Sequence, residues 1–286
     1  NNQIKKSNHI CNLIFGITTF SIIISSTNFV SAQITPDNTL PNNSSVGIEG
    51  NITKIEDGTT TGSNLFHSFE KFGVSTGTEV YFNNATDIQN IFTRVTGKSY
   101  SNIDGLIKAN GAANLFLINP NGIVFGENAR LDIGGSFVGS TADSLIFPDN
   151  LEFSAVNPAE KPLLSVNVPL GLQYGVNPGN ILVKGDGEGI RESSEIIDTQ
   201  NGLRVEPDKT LALIGGDINL EGATLKTAGG RIELGSVKEG FVNLVSTEKG
   251  FLLNYDAVKD GGNIDLSQKA AVDASGEGAG DIQVWG

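Results

Sequence analysis

A set of short segments that recur near the end of the chain limits its possible folds more than any other property. Each combines a glycine turn or a small-residue turn with aliphatic positions: 215–220 recurs as 261–266, 223–229 as 270–276, and 231–234 as 281–284. The separation grows from 46 to 47 to 50 residues. Strands joined by turns of variable length are typical of a solenoid, whereas duplicated globular domains would keep one offset. The sequence therefore predicts stacked coils that share a continuous core.

The spacing of these strands predicts an all-β protein, a parallel β-helix with coils of about 20 residues. A shorter period occurs earlier, where Leu117 precedes Phe137 by 20 residues. Within 232–234 aliphatic and polar residues alternate, so we expect aliphatic side chains to face the core and polar ones the solvent. Residues 46–52 are predicted to cap the first coil, because an uncapped sheet edge invites aggregation.

A tight turn between two apolar runs is the most distinctive local signal. Residues 119–122 read Asn-Pro-Asn-Gly, and they separate the β-forming runs 115–118 and 123–125. Asn at the first position, Pro at the second and Gly at the fourth are the preferences of a type I β-turn. Proline presets φ and asparagine bonds back to the backbone. We therefore predict a corner between two buried strands.

The run 115–118 is apolar at every position, which implies cover on both faces of its strand. We expect an extra-helical hairpin or loop to lie over it. Ten of the 15 phenylalanines fall within 66–153 and are candidates for that contact. Five of the nine prolines fall within 148–180, a density that excludes central-strand pairing. This stretch is predicted to be irregular and external, with regular coils resuming near Leu211 and continuing beyond residue 286.

Several ordered blocks together resemble a known family. They are Asn64-Leu65-Phe66-His67-Ser68-Phe69 with Phe72 and Val74, then Arg94-Val95-Thr96-Gly97, the Asn-Pro-Asn-Gly turn, and 129–138. Over about 46–147 the chain resembles the N-terminal two-partner secretion (TPS) domain of filamentous haemagglutinin-like exoproteins, the TpsA family. The resemblance implies a right-handed parallel β-helix with an N-terminal cap.

The resemblance also implies a role for the turn as part of a secretion signal, whose members here are Asn119, Pro120, Asn121 and Gly122. Its reader would be an outer-membrane transporter of the TpsB type, a barrel that bears periplasmic polypeptide-binding domains. Many members of the family carry a second motif, Asn-Pro-Asn-Leu. This chain departs from that pattern, with Asn-Pro-Ala-Glu at 157–160 and Asn-Pro-Gly-Asn at 177–180.

Residues 1–32 read as a secretory signal peptide. Two lysines precede the apolar stretch 10–24, and small residues precede a cleavage site between Ala32 and Gln33. The alternative is a membrane anchor, but hydroxyl side chains dilute the stretch and it is shorter than the roughly 20 apolar residues that a span needs. We therefore predict delivery by the Sec machinery and an exported domain at 33–286.

The exported part is strongly acidic. It keeps 17 of the 19 basic residues and all 32 acidic ones, which gives a net charge of −15. Such a surface repels phosphate backbones and no stripe of lysine or arginine offsets it, so nucleic acid is not an expected partner. The one cysteine, Cys11, lies within 1–32, so the exported chain carries no thiol into a compartment that forms disulfides.

No constellation of residues points to catalysis. His67 is the only histidine after residue 32 and has no Cys or His partner in sequence, so a structural role is favoured over zinc binding. A pectate-lyase-like β-helix enzyme would need carboxylates that converge on one outer face. The available acids are Asp132, Asp217, Asp265, Asp273 and Asp281. Outward polar residues are the default on alternating strands, so we predict a solvated acidic exterior without catalytic residues, metal or cofactor.

Together these features predict the secretion-signal domain of a large haemagglutinin- or adhesin-like protein that is secreted or held at the cell surface. Folding outside the outer membrane would give export its direction. Contacts with host cells, neighbouring cells or matrix would come from regions beyond this chain. Two alternatives stay open: a β-helix carbohydrate-active enzyme, and a structural surface protein that needs no dedicated transporter.

Overall fold

The computed structural model describes residues 33–189 and 202–286. The predicted signal peptide at 1–32, including Ala32, lies outside the described residues. Within the described ranges no helix is long and apolar enough to cross a membrane. In the part of the chain that the structure describes, nearly all regular structure consists of strands, interrupted by one 3-10 helix at Pro148–Asn150.

The strands in chain order are β1 (Thr35–Pro36), β2 (Ser44–Glu49), β3 (Ile52–Asp57), β4 (Thr59–Thr61), β5 (Asn64–Lys71), β6 (Glu79–Phe82), β7 (Asn90–Val95), β8 (Ser101–Ile103), β9 (Leu106–Ala109), β10 (Asn114–Ile118), β11 (Ile123–Phe125), β12 (Arg130–Asp132) and β13 (Phe137–Ser140). They continue with β14 (Ser144–Ile146), β15 (Glu152–Ser154), β16 (Gly171–Tyr174), β17 (Ile181–Lys184), β18 (Leu203–Arg204), β19 (Thr210–Gly215), β20 (Ile218–Glu221), β21 (Thr224–Lys226), β22 (Arg231–Thr247), β23 (Gly250–Gly261), β24 (Ile264–Ser267), β25 (Ala271–Asp273) and β26 (Asp281–Trp285).

Most of these strands stack in parallel on three faces of a β-helix. The first face runs β5-β7-β10-β13-β19-β22-β26, and the second runs β8-β11-β17-β20-β24. The third face is built in two parts, β3-β6-β9-β12 and β18-β21-β25. Successive strands of the chain, such as β9, β10 and β11, fall on successive faces, so a regular coil contributes one strand to each face. The predicted parallel β-helix is confirmed.

Inward side chains of the first face form a ladder with one apolar residue per coil: Leu65, Ile91, Leu115, Phe137, Leu211 and Ile232. All of them belong to one buried core that extends to the other two faces. Because full burial of one such side chain contributes about 2 kcal/mol, stacking supplies stability that a single coil lacks.

The register bears out the late repeats. Ile218 pairs with Ile264, Thr224 with Ala271, and Arg231 with Asp281, at the three separations read from the sequence. The earlier spacing of 20 was wrong by two residues, because Phe137 pairs with Leu115 rather than with Leu117. A slip of two leaves every side chain on its original face, so alternation alone does not reveal it.

Antiparallel strands cover the first coil on two of the three faces. The hairpin β2–β3 closes the third face, as the cap prediction for 46–52 requires, and β1 and β4 both pair with β5 on the first face. The second face begins differently. Among the described residues its first strand, β8, is covered on the outer edge by one isolated bridge, between Val74 and Ile103.

An outer layer lies over the first face, as the apolar run 115–118 predicts. Its strands β14, β15 and β16 are antiparallel, and β16 pairs with the C-terminal part of β22, which forms a long hairpin with β23. A second buried core fills the space between this layer and the coils. There the Phe116 ring lies 4.9 Å from Phe92 and 5.1 Å from Phe251, the latter edge-on. Such pairs add about 1 kcal/mol each beyond their buried area.

The interpretation of 148–180 as irregular needs correction at two places. The segment lies outside the coils, but β15 and β16 within it are strands with antiparallel partners. Neither contains proline, because the prolines fall in the connections. Regular coils also resume earlier than expected, at β17, whose Ile181 pairs with Ile123.

Candidate functional site

The Asn-Pro-Asn-Gly turn joins β10 on the first face to β11 on the second. The Gly122 N–H donates to the Asn119 carbonyl at 3.0 Å, which closes the turn. The Asn119 side chain is fully buried, and its Oδ1 accepts from the Asn121 N–H at 3.0 Å. The structure thus shows the predicted corner, with asparagine bonded back to the backbone.

Both asparagine side chains of the turn reach the corner of the preceding coil. Asn119 Nδ2 donates to the Ser99 carbonyl at 3.1 Å and to Ser101 Oγ at 3.0 Å. Asn121 Nδ2 donates to the Gly97 carbonyl at 2.8 Å. A segment without strand structure, 97–100, is therefore held by the amides of this turn.

The following coil packs on the turn through 177–180, the segment that departs from the family's second motif. The Gly179 N–H donates to the Pro120 carbonyl at 2.8 Å. A Cβ on Gly179 would lie 2.3 Å from the Asn121 carbonyl carbon, so only glycine fits there. Gly122 has φ +116°, a conformation that also requires glycine.

The corner continues as a ladder of side-chain oxygens that sequence reasoning missed. Asn180 Oδ1 accepts from the Asp217 N–H at 2.8 Å, and Asp217 Oδ1 accepts from the Asn263 N–H at 3.0 Å. The signal was present as Gly-Asn-Ile at 179–181, Gly-Asp-Ile at 216–218 and Gly-Asn-Ile at 262–264. Residues 177–180 thus belong to this repeat as well as resembling the turn motif.

Replacing Asn119 by alanine is expected to lower the free energy of unfolding by about 2 kcal/mol, because buried partners of the amide lose their hydrogen bonds. Amide exchange at 97–101 should rise with it. Urea titration and hydrogen exchange would measure both. Asn219→Ala on β20 is the matched control, since Asn219 is half-exposed and forms none of these contacts; an equal loss in both variants would contradict the assigned role.

His67 is a structural residue of the core. It is buried, its Nδ1 lies 2.9 Å from Ser44 Oγ, and its ring lies 5.4 Å from Phe82. Burial lowers the pKa of His67 to about 3, against the opposing charge of Asp57. The imidazole is therefore neutral at physiological pH and holds the cap strand β2 against the first face.

The candidate acids do not converge. Asp132 pairs with Lys108 at 2.6 Å on the third face, and Asp217 pairs with Lys238 at 2.7 Å at the corner. Asp281 on the first face lies 2.8 Å from Arg231. The others, Asp265 and Asp273, lie on β24 and β25, on different faces. Within 33–189 and 202–286 no group of three or more His, Cys, Asp or Glu could hold a metal ion.

The outward acid on β22 corrects one expectation. Glu233 faces away from the coil core, as predicted for 232–234, but its side chain has no exposed surface because β23 folds over it. Burial raises the pKa of Glu233 to about 7, although Arg231 at 3.2 Å opposes the shift. The alternation of aliphatic and polar residues predicts that Glu233 points away from the coil core. It does not predict that β23 covers the side chain.

A family model described as the TPS secretion domain matches residues 32–284. The chain belongs to this family. TPS secretion domains are parts of exported proteins that reach the cell surface or the medium across the outer membrane, and they serve that export. The family predicted from the sequence motifs is thus confirmed for this TPS domain.

One protein sequence and two solved structures are similar to this chain. The Heme/hemopexin-binding protein of Haemophilus influenzae is 30% identical over 130 residues, which cover 43% of this chain and 14% of that protein. The crystal structure of the HMW1 secretion domain from Haemophilus influenzae superposes with a TM-score of 0.56 at 19% identity, over 87% of this chain and 61% of that one. The filamentous hemagglutinin secretion domain gives a TM-score of 0.29 at 16% identity, over 88% and 99%. The carbohydrate-enzyme alternative gains no support.

Proposed function

We propose that residues 33–286 are the part of a haemagglutinin- or adhesin-like protein that a TpsB-type outer-membrane transporter recognises in the periplasm. Residues 1–32 would direct Sec-dependent delivery and be removed between Ala32 and Gln33. The family match over 32–284 carries this proposal. The domain itself would be non-catalytic and would use no cofactor, in keeping with acids that are separately paired rather than convergent.

Within this proposal the turn formed by Asn119, Pro120, Asn121 and Gly122 belongs to the secretion signal. Its amides bond to the preceding coil and its backbone to the following one, so it links three coils of the stack. Folding outside the outer membrane would oppose backsliding, because a domain of this size gains on the order of ten kcal/mol on folding. Contact with host cells, neighbouring cells or matrix would fall to other parts of the exported protein.

Export in the presence and absence of the transporter tests this function. The chain is produced in a Gram-negative host with a TpsB-type transporter gene from the same locus, and the exported material is quantified. Export should fall at least tenfold without the transporter, and the exported chain should begin at Gln33. Undiminished export would reject the proposal in favour of the structural surface protein, and retention of residues 1–32 would reject the cleavage site.

A further inference from the structure

Asparagine stands directly before glycine at three places in the chain, at 110–111, 121–122 and 201–202. This pair favours spontaneous loss of the side-chain amide, because glycine has no Cβ to keep its backbone nitrogen away from the asparagine. The pair at 121–122 completes the turn between β10 and β11. Deamidation there bears directly on whether that turn can form.

Deamidation of Asn121 needs only water and releases ammonia. The Gly122 backbone nitrogen loses its proton and attacks Asn121 Cγ, the Cγ–Nδ2 bond breaks, and the amide leaves as ammonia with that proton. Water then opens the cyclic imide. Opening at Cγ gives an aspartate. Opening at the backbone carbonyl carbon gives an isoaspartate, in which the main chain runs through Cβ and Cγ and is longer by a methylene carbon.

The folded turn engages both reacting groups in hydrogen bonds. The Gly122 N–H donates to the Asn119 carbonyl at 3.0 Å, and Gly122 is buried. Asn121 Nδ2 donates to the Gly97 carbonyl at 2.8 Å and to Asn119 Oδ1 at 3.1 Å. These bonds must break before the imide can close. The reaction therefore requires local opening of the turn, and the open population is small for a segment held between stacked coils.

The following coil leaves no room for an isoaspartate at this position. A Cβ on Gly179 would lie 2.3 Å from the carbonyl carbon of Asn121 and equally close to the nitrogen of Gly122. The Gly179 N–H donates to the Pro120 carbonyl at 2.8 Å, which fixes the separation of the two coils. A longer main chain between 121 and 122 would break this contact or the hydrogen bond that closes the turn. Packed interiors accommodate extra atoms poorly, so the lengthened turn does not stack.

We propose that Asn121 is a spontaneous deamidation site of the unfolded chain, and that its isoaspartyl product is excluded from the β-helix. Folding then protects Asn121, whereas a chain that stays unfolded loses the intact turn with time. This inference goes beyond the proposed function and does not rest on it. It has a consequence for export, because a chain held extended before it crosses the outer membrane would keep its ability to fold for a limited period.

Peptide mapping of the purified full chain tests the protection. One sample is kept folded in buffer at pH 8, another is kept unfolded in guanidinium chloride at the same pH, and mass spectrometry follows Asn110 and Asn121. In the unfolded sample both should deamidate at similar rates, since each precedes glycine. In the folded sample the rate at Asn121 should fall by about tenfold or more. Equal rates at Asn121 in the two samples would overturn the proposal.

Refolding tests the exclusion of the product. The unfolded sample, once part of it carries isoaspartate at position 121, is diluted into buffer and separated into folded and unfolded fractions by size-exclusion chromatography. Fragmentation spectra distinguish isoaspartate from aspartate. We expect isoaspartate at position 121 to be depleted from the folded fraction by about fivefold or more. The same content in both fractions would refute the exclusion.

Asn121→Asp is the matched control, because it carries the same new charge on a main chain of normal length. It loses the donors to Gly97 and Asn119, but Asn121 is exposed, so a carboxylate there can turn to solvent and the variant should fold. Failure of Asn121→Asp to fold would assign the exclusion to the lost amide and overturn the steric argument. No transporter is present in these experiments, so a negative result leaves the proposed function intact.

Discussion

Replacing Arg94 by methionine is expected to lower the free energy of unfolding by about 3 kcal/mol, because a buried cation joins separate parts of the domain. Arg94 Nε donates to Ser68 Oγ at 2.7 Å, Nη1 to the Ser154 carbonyl at 2.8 Å, and Nη2 to Thr39 Oγ1 at 2.7 Å. Its guanidinium also lies 4.3 Å from the centre of the Phe153 ring. Methionine keeps the volume but leaves these acceptors unpaired.

The hydroxyls that accept hydrogen bonds from Arg94 in turn donate hydrogen bonds to the carboxylate of Asp37. Ser68 Oγ and Thr39 Oγ1 donate to its carboxylate at 2.6 and 2.8 Å. Burial would raise the pKa of Asp37, but these donors and Thr96 lower it overall. Arg94 and Asp37 are thus connected through the two hydroxyls, and removing Arg94 leaves the partly buried Asp37 carboxylate without a nearby positive charge.

Urea titration of Arg94→Met against Arg130→Met measures the effect. Arg130 is only partly buried and donates to nearby carbonyls, including those of Glu127 and Ala129, so its replacement should cost less than about 1 kcal/mol. Comparable losses in both variants would show that the Arg94 network contributes little.

The second large effect is a loss of stability as pH rises through the titration of Glu233. The pKa of Glu233 is raised from 4.5 to about 7 by burial. Between these values the folded state binds more protons than the unfolded state, so the free energy of unfolding falls with increasing pH. The full stabilisation is present below about pH 4.5 and is lost by about pH 7, a change of about 3 kcal/mol.

The physical reason is a carboxylate with too few partners under the hairpin. Glu233 Oε1 accepts from Arg231 and from the Leu253 N–H, whereas Oε2 and the nearby Tyr255 hydroxyl have no hydrogen-bond partner among the described residues. Asp281 adds a second negative charge that raises the pKa further. Protonation removes the charge that burial penalises.

Unfolding free energies at pH 5 and pH 8 would measure this effect in the native chain, in Glu233→Gln and in Glu277→Gln, whose site is exposed on a turn. The difference between the two pH values should shrink by about 3 kcal/mol in Glu233→Gln and persist in Glu277→Gln. An unchanged difference in Glu233→Gln would assign the pH dependence to other groups.

The sequence predicted the coils because the patterns that define them lie within short segments of the chain. The turn at 119–122, the cap at 46–52 and the late repeats all follow from residues that are neighbours in sequence. The apolar run 115–118 even predicted an outer layer, since two buried faces need two partners. What it did not predict was that the layer is a sheet, with β16 paired to β22 about seventy residues later.

Long-range polar contacts were the main omission. The sequence places Arg94 in a motif block but does not indicate its Ser154 partner, which lies 60 residues away. An asparagine ladder was also missed: Asn90 Nδ2 donates to Asn64 Oδ1 at 3.0 Å, and Asn114 Nδ2 to Asn90 Oδ1 at 2.9 Å. Neither follows from propensity or periodicity, because each depends on which coils become neighbours. The first residue of β5, β7 and β10 is asparagine in every case, and this is the pattern that could have revealed the ladder.

The hairpin β22–β23 has a consequence for the order of events in a chain that emerges from its N-terminus. Phe251 packs on Phe116, which precedes it by 135 residues. Strand β16 cannot pair until residues 240–243 of β22 are present. The N-terminal coils can therefore stack early, whereas the second core, between the first face and the outer layer, stays solvated until β22 and β23 have been added. The hairpin β22–β23 therefore completes the outer layer last. Once it has packed, the coils beneath it can unfold only after the hairpin has separated from them.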